Sequence, residues 1–278
     1  MPGFLDLPIE LRQYVYSYLL LEEIDQRSRA VMLVSEKYVK EHLPLRAYRG
    51  LLQTCNQLHS EFKEAIRHLT ASRKLEYEFN ILFSHGRPYF SLTWLRFPGL
   101  SPMINHIVIN LDLRVREPFA EARFTSIPHH RALVHLLEDN PSNFASQLFD
   151  YIAILLKTLA GLMSGGDLSV RMLYTETMTV NLRRPTQMIS TLYGSETRSR
   201  RVHVDLEESQ RLDEIMRTTL KTNAKAFGAF DASDCDKLSP LIQIGSLRFA
   251  TEGVVWGEGN NLVLAKENFG WLKYGAST

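Results

Sequence analysis

The chain has 278 residues, of which 45% are hydrophobic and 23% charged, so it can bury a sizeable core as one large domain or two smaller ones. Basic and acidic residues nearly balance, at 32 and 31, which excludes an overall field that attracts nucleic acid or an anionic membrane. The chain has two cysteines, Cys55 and Cys235, which is too few for a disulfide framework or a four-cysteine zinc site. This cysteine usage favours a reducing compartment, and we expect a cytoplasmic or nuclear protein.

The first residues do not predict a secretory signal, because no basic segment precedes an uncharged apolar one. The most apolar later stretch, residues 144–163, contains Asp150 and Lys157. A membrane span needs about 20 apolar residues with few charges. We therefore expect a buried helix in that stretch and no membrane partner.

The first periodic segment begins at Leu7-Pro8, where proline suits the first helical position. Apolar residues then recur at helical spacing and predict one face of a short amphipathic helix, with Arg12 and Gln13 elsewhere on its surface. The predicted apolar face comprises Leu7, Leu11, Tyr14, Val15, Tyr18 and Leu19.

Helical spacing is weak over residues 31–42 and strong over residues 51–69. The second of these segments follows Pro44 and Gly50, which interrupt regular structure. The apolar positions of this predicted helix are Leu51, Leu52, Cys55, Leu58, Phe62, Ile66 and Leu69.

The pattern then changes to a period of two, which predicts strands over residues 75–83 and 107–115. The fold class is therefore α+β, with a helical start and an irregular mixed strand and helix body. A leucine-rich-repeat-like body is the alternative, although no repeat of fixed length supports it. Further predicted elements are helices near 142–163 and 207–227, strands at 168–174, 178–182 and 202–206, and a hairpin between 253–256 and 262–265.

The stretch Leu5–Leu20, LDLPIELRQYVYSYLL, resembles the opening helix of F-box domains. It is especially similar to the fungal form, Leu-Pro-x-Glu-Leu-Arg followed by an aliphatic and tyrosine pair. The stretch Leu51–Glu61, LLQTCNQLHSE, resembles a second motif of the same fungal proteins, a Leu-Leu-x-Thr-Cys helix that precedes a strand. The resemblance divides the chain into an F-box-like helical segment, 1–70, and an α+β partner-binding body, 71–278.

The resemblance implies a non-catalytic substrate receptor of a cullin-RING ubiquitin ligase. F-box helices bind the adaptor subunit of such a ligase, and the body would bind a target protein. The segment after Leu20 is acidic and polar and departs from the F-box pattern. The alternative is a structural or regulatory subunit of another intracellular complex, in which these helices pack into the protein's own core. In the receptor interpretation, the apolar contacts to the adaptor would come from Leu7, Pro8, Ile9, Leu11, Val15 and Leu19.

No motif predicts catalysis, a cofactor or a metal site. Cys55 and His59 have a spacing that could place two ligands on one helix face, but no second pair accompanies them, and a structural role is expected. A phosphate-binding loop and a nucleophile elbow do not occur. The remaining candidates, which lack the other residues of a metal or calcium motif, are His129, His130 and His135, and Asp231, Asp234 and Asp236.

The most basic stretches are Arg183-Arg184 and 198–201, beside segments rich in Ser and Thr. Arg198, Arg200 and Arg201 could contact phosphate groups, yet only Tyr193 offers a stacking aromatic between the two stretches. We therefore expect a solvated loop, and nucleic acid is not the favoured partner. The aromatic side chains that could anchor a protein partner are Trp94, Trp256, Trp271, Tyr89, Phe90 and Phe97.

Overall fold

The computed structural model describes residues 3–22, 31–32, 50, 53–84, 90–115, 148–149, 151–152, 155–156, 158–161, 172–193, 196–204, 206–228, 241–257 and 262–263. Helices and strands both occur in it, which confirms the α+β class. The helical elements are a 3-10 turn, Phe4–Asp6, then α1, Ile9–Leu21; α2, Asn56–Ala71; helical residues between 148 and 161; and α3, Leu206–Gly228. Of the helices in this part of the chain, none has the length and apolar character needed to cross a membrane.

The described strands belong to one ten-stranded mixed sheet. Its central strands are parallel neighbours in the order β2-β4-β5-β8, and antiparallel strands flank them on both sides. A short parallel pairing joins β6 to the end of β4, and β6 forms an antiparallel hairpin with β7. The strands are β1, Val31–Met32; β2, Glu76–Ser84; β3, Phe90–Arg96; β4, Met103–Val115; β5, Met172–Leu182; β6, Thr186–Tyr193; β7, Glu196–His203; β8, Leu241–Thr251; β9, Val254–Val255; and β10, Leu262–Val263.

Alternation along the central strands gives the sheet an apolar face and a polar face. Phe79, Ile109, Val180 and Phe249 stand in register on the apolar face, and all four are buried. The buried apolar residues of α1, α2 and α3 belong to the same hydrophobic cluster as these side chains. Full burial of one such side chain contributes about 1.5–3 kcal/mol, so this cluster is the main source of stability.

A row of hydrogen bonds crosses the polar face. Asn110 Nδ2 donates to Glu78 Oε1 at 2.9 Å, and Asn181 Nδ2 donates to Asn110 Oδ1 at 2.7 Å. The N–H of Gly253, whose φ of +81° suits glycine, donates to Asn181 Oδ1 at 2.8 Å. Because buried amides are costly without partners, this row favours the observed register of β2, β4 and β5.

Several predicted elements are confirmed, and others need correction. The predicted strands at 75–83 and 107–115 and the helix at 207–227 correspond to β2, β4 and α3. Val31 and Met32 form β1 rather than the start of a helix, and residues 172–182 form one strand instead of two. The predicted hairpin between 253–256 and 262–265 is wrong, because β9 and β10 both pair with β8. The strand predicted at 202–206 overlaps only the last two residues of β7, and Leu206 begins α3. Strands β3, β6 and β8 were not predicted.

The basic stretch 198–201 lies in strand β7 and not in a solvated loop. Tyr193 pairs with Glu196, so a two-residue connection joins β6 to β7. Threonines at positions 186, 191 and 197 fit this hairpin because β-branched residues favour extended backbone. The apolar residues of the hairpin are concentrated in β6, so β7 lacks the alternation by which a strand is recognised in sequence.

Candidate protein-binding surface

Helix α1 is held at a defined position by the turn before it. The carbonyl of Pro8 accepts the N–H groups of Leu11 and Arg12, each at 3.1 Å. Within the preceding turn, the ring of Phe4 meets the ring of Tyr16 edge-on, with 5.7 Å between centroids. Tyr16 in turn packs edge-on against Phe62 of α2 at 5.9 Å, which attaches α1 to the core.

A polar cluster joins α1 to α2, and we call Arg12, Tyr16, Gln57 and Glu61 the anchor cluster. Arg12 binds Glu61 through two hydrogen bonds, Nε to Oε2 at 2.9 Å and Nη2 to Oε1 at 2.8 Å. The hydroxyl of Tyr16 donates to Glu61 Oε2, and the amide of Gln57 donates to Oε1, both at 2.9 Å. Both oxygens of this carboxylate are therefore fully used, in the paired geometry that arginine and carboxylate prefer.

The anchor cluster has a defined charge state at neutral pH. Hydrogen bonding from Arg12 lowers the pKa of Glu61 to about 2, so the carboxylate is ionised. The pKa of Tyr16 is raised to about 12, mainly by burial and to a lesser extent by the hydrogen bond to Glu61. The phenol therefore stays neutral. The hydrogen bond to Glu61 also raises the pKa of Arg12 above its usual value. The cluster is thus an ion pair with a neutral hydroxyl donor.

Arg12 also fixes the chain that precedes α1. Its Nη1 donates to the carbonyl of Leu5 at 3.0 Å and to the carbonyl of Leu7. One side chain therefore connects the N-terminal turn, the helix and α2. Loss of Arg12 would release the backbone that carries Leu5 and Leu7.

The opposite side of α1 carries an apolar stripe, Leu11, Tyr14, Tyr18 and Leu21, at spacings of three, four and three residues. These side chains are 52%, 74%, 64% and 44% exposed, respectively. Leu5, Leu7 and Ile9, in the turn and at the helix start, are also exposed and lengthen the apolar surface at the N-terminal end. An exposed and contiguous apolar surface of this kind is typical of an interaction site.

The buried face of α1 is not the predicted apolar face. Arg12, which the pattern placed off that apolar face, is buried together with Tyr16 and Leu20. The missed signal is the spacing of these three residues, four apart, which matches one helix face. Tyr14 and Tyr18 were recognised as part of the apolar pattern but not as contact residues. Of the predicted adaptor contacts, those that are exposed are Leu7, Pro8, Ile9 and Leu11, and those that are half-buried are Val15 and Leu19.

Cys55 lies just before α2 and His59 lies in its first turn, where the N–H of His59 donates to the carbonyl of Cys55 at 3.1 Å. Cys55 is exposed and has extended backbone angles immediately before α2, although it was expected on the apolar side of that helix. Where the structure describes the chain, no three metal-binding side chains come together. The remaining candidates lie outside the described residues, namely His129, His130, His135, Asp231, Asp234 and Asp236.

The basic and aromatic candidates differ in their exposure. Arg200 and Arg201 are exposed in β7; Arg198 belongs to the same strand, but its side chain is outside the described part. Trp94, Phe97 and Trp256 are buried and belong to the interior rather than to a binding surface. Tyr89 and Trp271, and the side chain of Phe90, lie outside the described part.

No family model, curated protein or solved structure matches the chain.

Proposed function

We propose that the protein is a non-catalytic, F-box-like substrate receptor. In this proposal α1 binds the adaptor of a cullin-RING ubiquitin ligase, and the α+β body binds a target protein in the cytoplasm or nucleus. The observation that carries the proposal is the apolar stripe of α1, which faces away from the core. A helix that only supported the fold would not need Leu11, Tyr14 and Tyr18 on its exposed side.

The chemistry of the stripe suits a groove on another protein. Helices that bind in grooves present apolar anchors at spacings of three and four residues, as Leu11, Tyr14 and Tyr18 do. Tyrosine is common among the residues that contribute most to binding, because its ring is large and has few rotatable bonds. The stripe therefore offers a large apolar contact area, and its tyrosines lose little conformational entropy when a partner binds.

The anchor cluster supports this surface by fixing it before any partner binds. Because Arg12 bonds to Glu61 and to the carbonyls of Leu5 and Leu7, the turn and the helix have one arrangement. A surface that is already ordered loses less conformational entropy on binding. Arg12 and Glu61 are therefore positioning residues, and the exposed side chains make the contacts.

The test is a pull-down of the purified F-box-binding adaptor with the full chain. We expect binding by the wild type and a loss of about tenfold or more in the Leu7→Ala, Pro8→Ala double variant and in Leu11→Asp. Gln13→Ala, an exposed change on the polar side of α1, is the matched control and should bind as the wild type does. Circular dichroism checks that each variant is folded. Absence of binding by the wild type would refute the proposal.

A second function is favoured by the packing of α1 on the body. Tyr16, Leu20 and Phe62 share one hydrophobic cluster with the sheet, so α1 is part of the main core. This is what a structural or regulatory subunit of another intracellular complex needs, and such a subunit would not bind the adaptor.

For the body we favour an irregular α+β fold over a leucine-rich-repeat-like arrangement, because antiparallel strands flank its parallel centre.

A further inference from the structure

A cavity of about 160 Å³ lies where β4, β5 and β8 end and α3 begins. Leu113, Leu182 and Met216 line its interior and are buried. Leu206 and Glu252 lie at its rim and are exposed, so the cavity opens to solvent. The carboxyl ends of parallel strands are the usual position of ligand sites in open sheets, where loops and helix starts converge.

The size and lining of the cavity suit one side chain. An apolar cavity of about 150 Å³ accepts a molecule as large as benzene, whereas small-molecule sites usually measure about 300–1,000 Å³. Several polar groups of the lining already interact within the protein: Asp213 accepts from Thr251 at 2.5 Å and from Arg217 at 2.8 Å. Arg183 and Arg184 also line the cavity; Arg183 lies 3.7 Å from Glu252, and Arg184 donates to the carbonyl of Val204 at 2.8 Å. The cavity therefore offers mainly apolar surface to an occupant.

The hairpin that contains the basic strand β7 starts at the same rim. Pro185 lines the cavity, and β6 starts at the next residue. The register pairs Val115 with Gln187 and Ile189 with Arg200, which places position 200 on the side of the sheet that carries Leu113. By the same count, Arg201 lies on the opposite side, with Arg114. Arg200 is exposed, about 13 Å along the hairpin from Pro185 at 3.3 Å per residue.

We propose that this cavity and Arg200 form the binding site for an acidic, extended segment of the target protein. One bulky apolar side chain enters the cavity, and a carboxylate about four residues away pairs with Arg200. The inference rests on the proposed function and specifies the target's chemistry. It is tested without the adaptor, so its failure leaves adaptor binding as a separate question.

Charge and shape favour a peptide over nucleic acid for this site. A nucleic-acid strand binds through many phosphates and stacked bases, whereas the interior of this cavity is aliphatic. Trp256, which donates to the hydroxyl of Thr251 in the lining at 2.9 Å, is stacked on Phe249 with 5.1 Å between centroids and is buried. One apolar anchor and one cation match a short acidic segment.

The experiment measures fluorescence anisotropy of the purified full chain with short labelled peptides. Each peptide carries one leucine or phenylalanine and aspartate or glutamate within about four positions of it. Ser209→Trp should fill the cavity and weaken binding by about tenfold, and Leu206→Asp, at an exposed rim position, should also weaken it. Thermal unfolding checks that both variants stay folded.

The adjacent arginines provide the matched control. Arg200→Glu should weaken binding by about tenfold, and Arg201→Glu, with the same charge change on the opposite side, should change it less than about twofold. Absence of binding by every peptide would overturn the proposal. Equal losses in both arginine variants, with displacement of the peptide by single-stranded DNA, would overturn it in favour of a nucleic-acid surface.

Discussion

The central sheet and helix α1 use apolar residues in opposite ways. In β2 and β4 the apolar positions predicted from alternation are buried, as Phe79 and Ile109 illustrate. In α1 the apolar stripe is exposed, and the buried face contains an arginine and a tyrosine. A regular apolar pattern therefore shows where apolar surface lies, and only the packing shows whether the protein itself or a partner covers it.

The largest effect is expected for a charge in the sheet. Ile109→Asp places a carboxylate on a fully buried strand position without a partner, and it should cost more than about 4 kcal/mol. We expect the variant to be unfolded or to unfold at much lower urea concentration, as followed by circular dichroism. A stable, folded variant would mean that this part of the sheet is not the main core.

The next largest effect is expected in the anchor cluster. Glu61→Gln keeps the shape of the side chain but removes the charge that Arg12 and Tyr16 contact. Hydrogen bonds to a charged group contribute about 1.5–3 kcal/mol, so we expect a loss of about 2 kcal/mol in urea unfolding at pH 7.

The same variant has a distinct pH dependence. The pKa of Glu61 falls from 4.5 in the unfolded chain to about 2 in the folded protein. Its stabilising contribution is therefore present above pH 4.5 and is lost as the pH falls towards 2. The difference between the wild type and Glu61→Gln should be smaller at pH 3 than at pH 7. A difference that is unchanged between these two pH values would contradict the ionised Arg12–Glu61 pair.

Much of the body could be predicted from the sequence, because its strands have one buried face and therefore alternate. The missed strand β8 is apolar at positions 241, 242 and 244, but Gly245 and Ser246 interrupt the pattern. At α1, four of the six predicted contacts are exposed, but the anchor cluster could not be foreseen. It depends on Arg12 meeting Glu61, which lies 49 residues away in the sequence.

A smaller effect is expected for Tyr16→Phe. The ring contacts with Phe4 and Phe62 remain possible, and only the hydrogen bond to Glu61 is lost, so we expect a loss of about 1 kcal/mol. The pKa of Tyr16 is raised from 10 to about 12, so its contribution is complete below pH 10 and is lost as the pH rises through 12. Urea unfolding at pH 7 and pH 11 should therefore show a smaller difference between the two proteins at pH 11.

The smallest effect on stability is expected for Leu11→Asp, although this variant should have a large effect on adaptor binding. Leu11 is 52% exposed, so Leu11→Asp should change the free energy of unfolding by less than about 0.5 kcal/mol. The same change introduces a charge into the centre of the apolar stripe, where it must be desolvated if a partner covers it, and adaptor binding should be lost. Urea unfolding and the pull-down, made on one preparation, separate the two effects. A large loss of stability would instead place Leu11 in the core and support the subunit in which α1 serves only the fold.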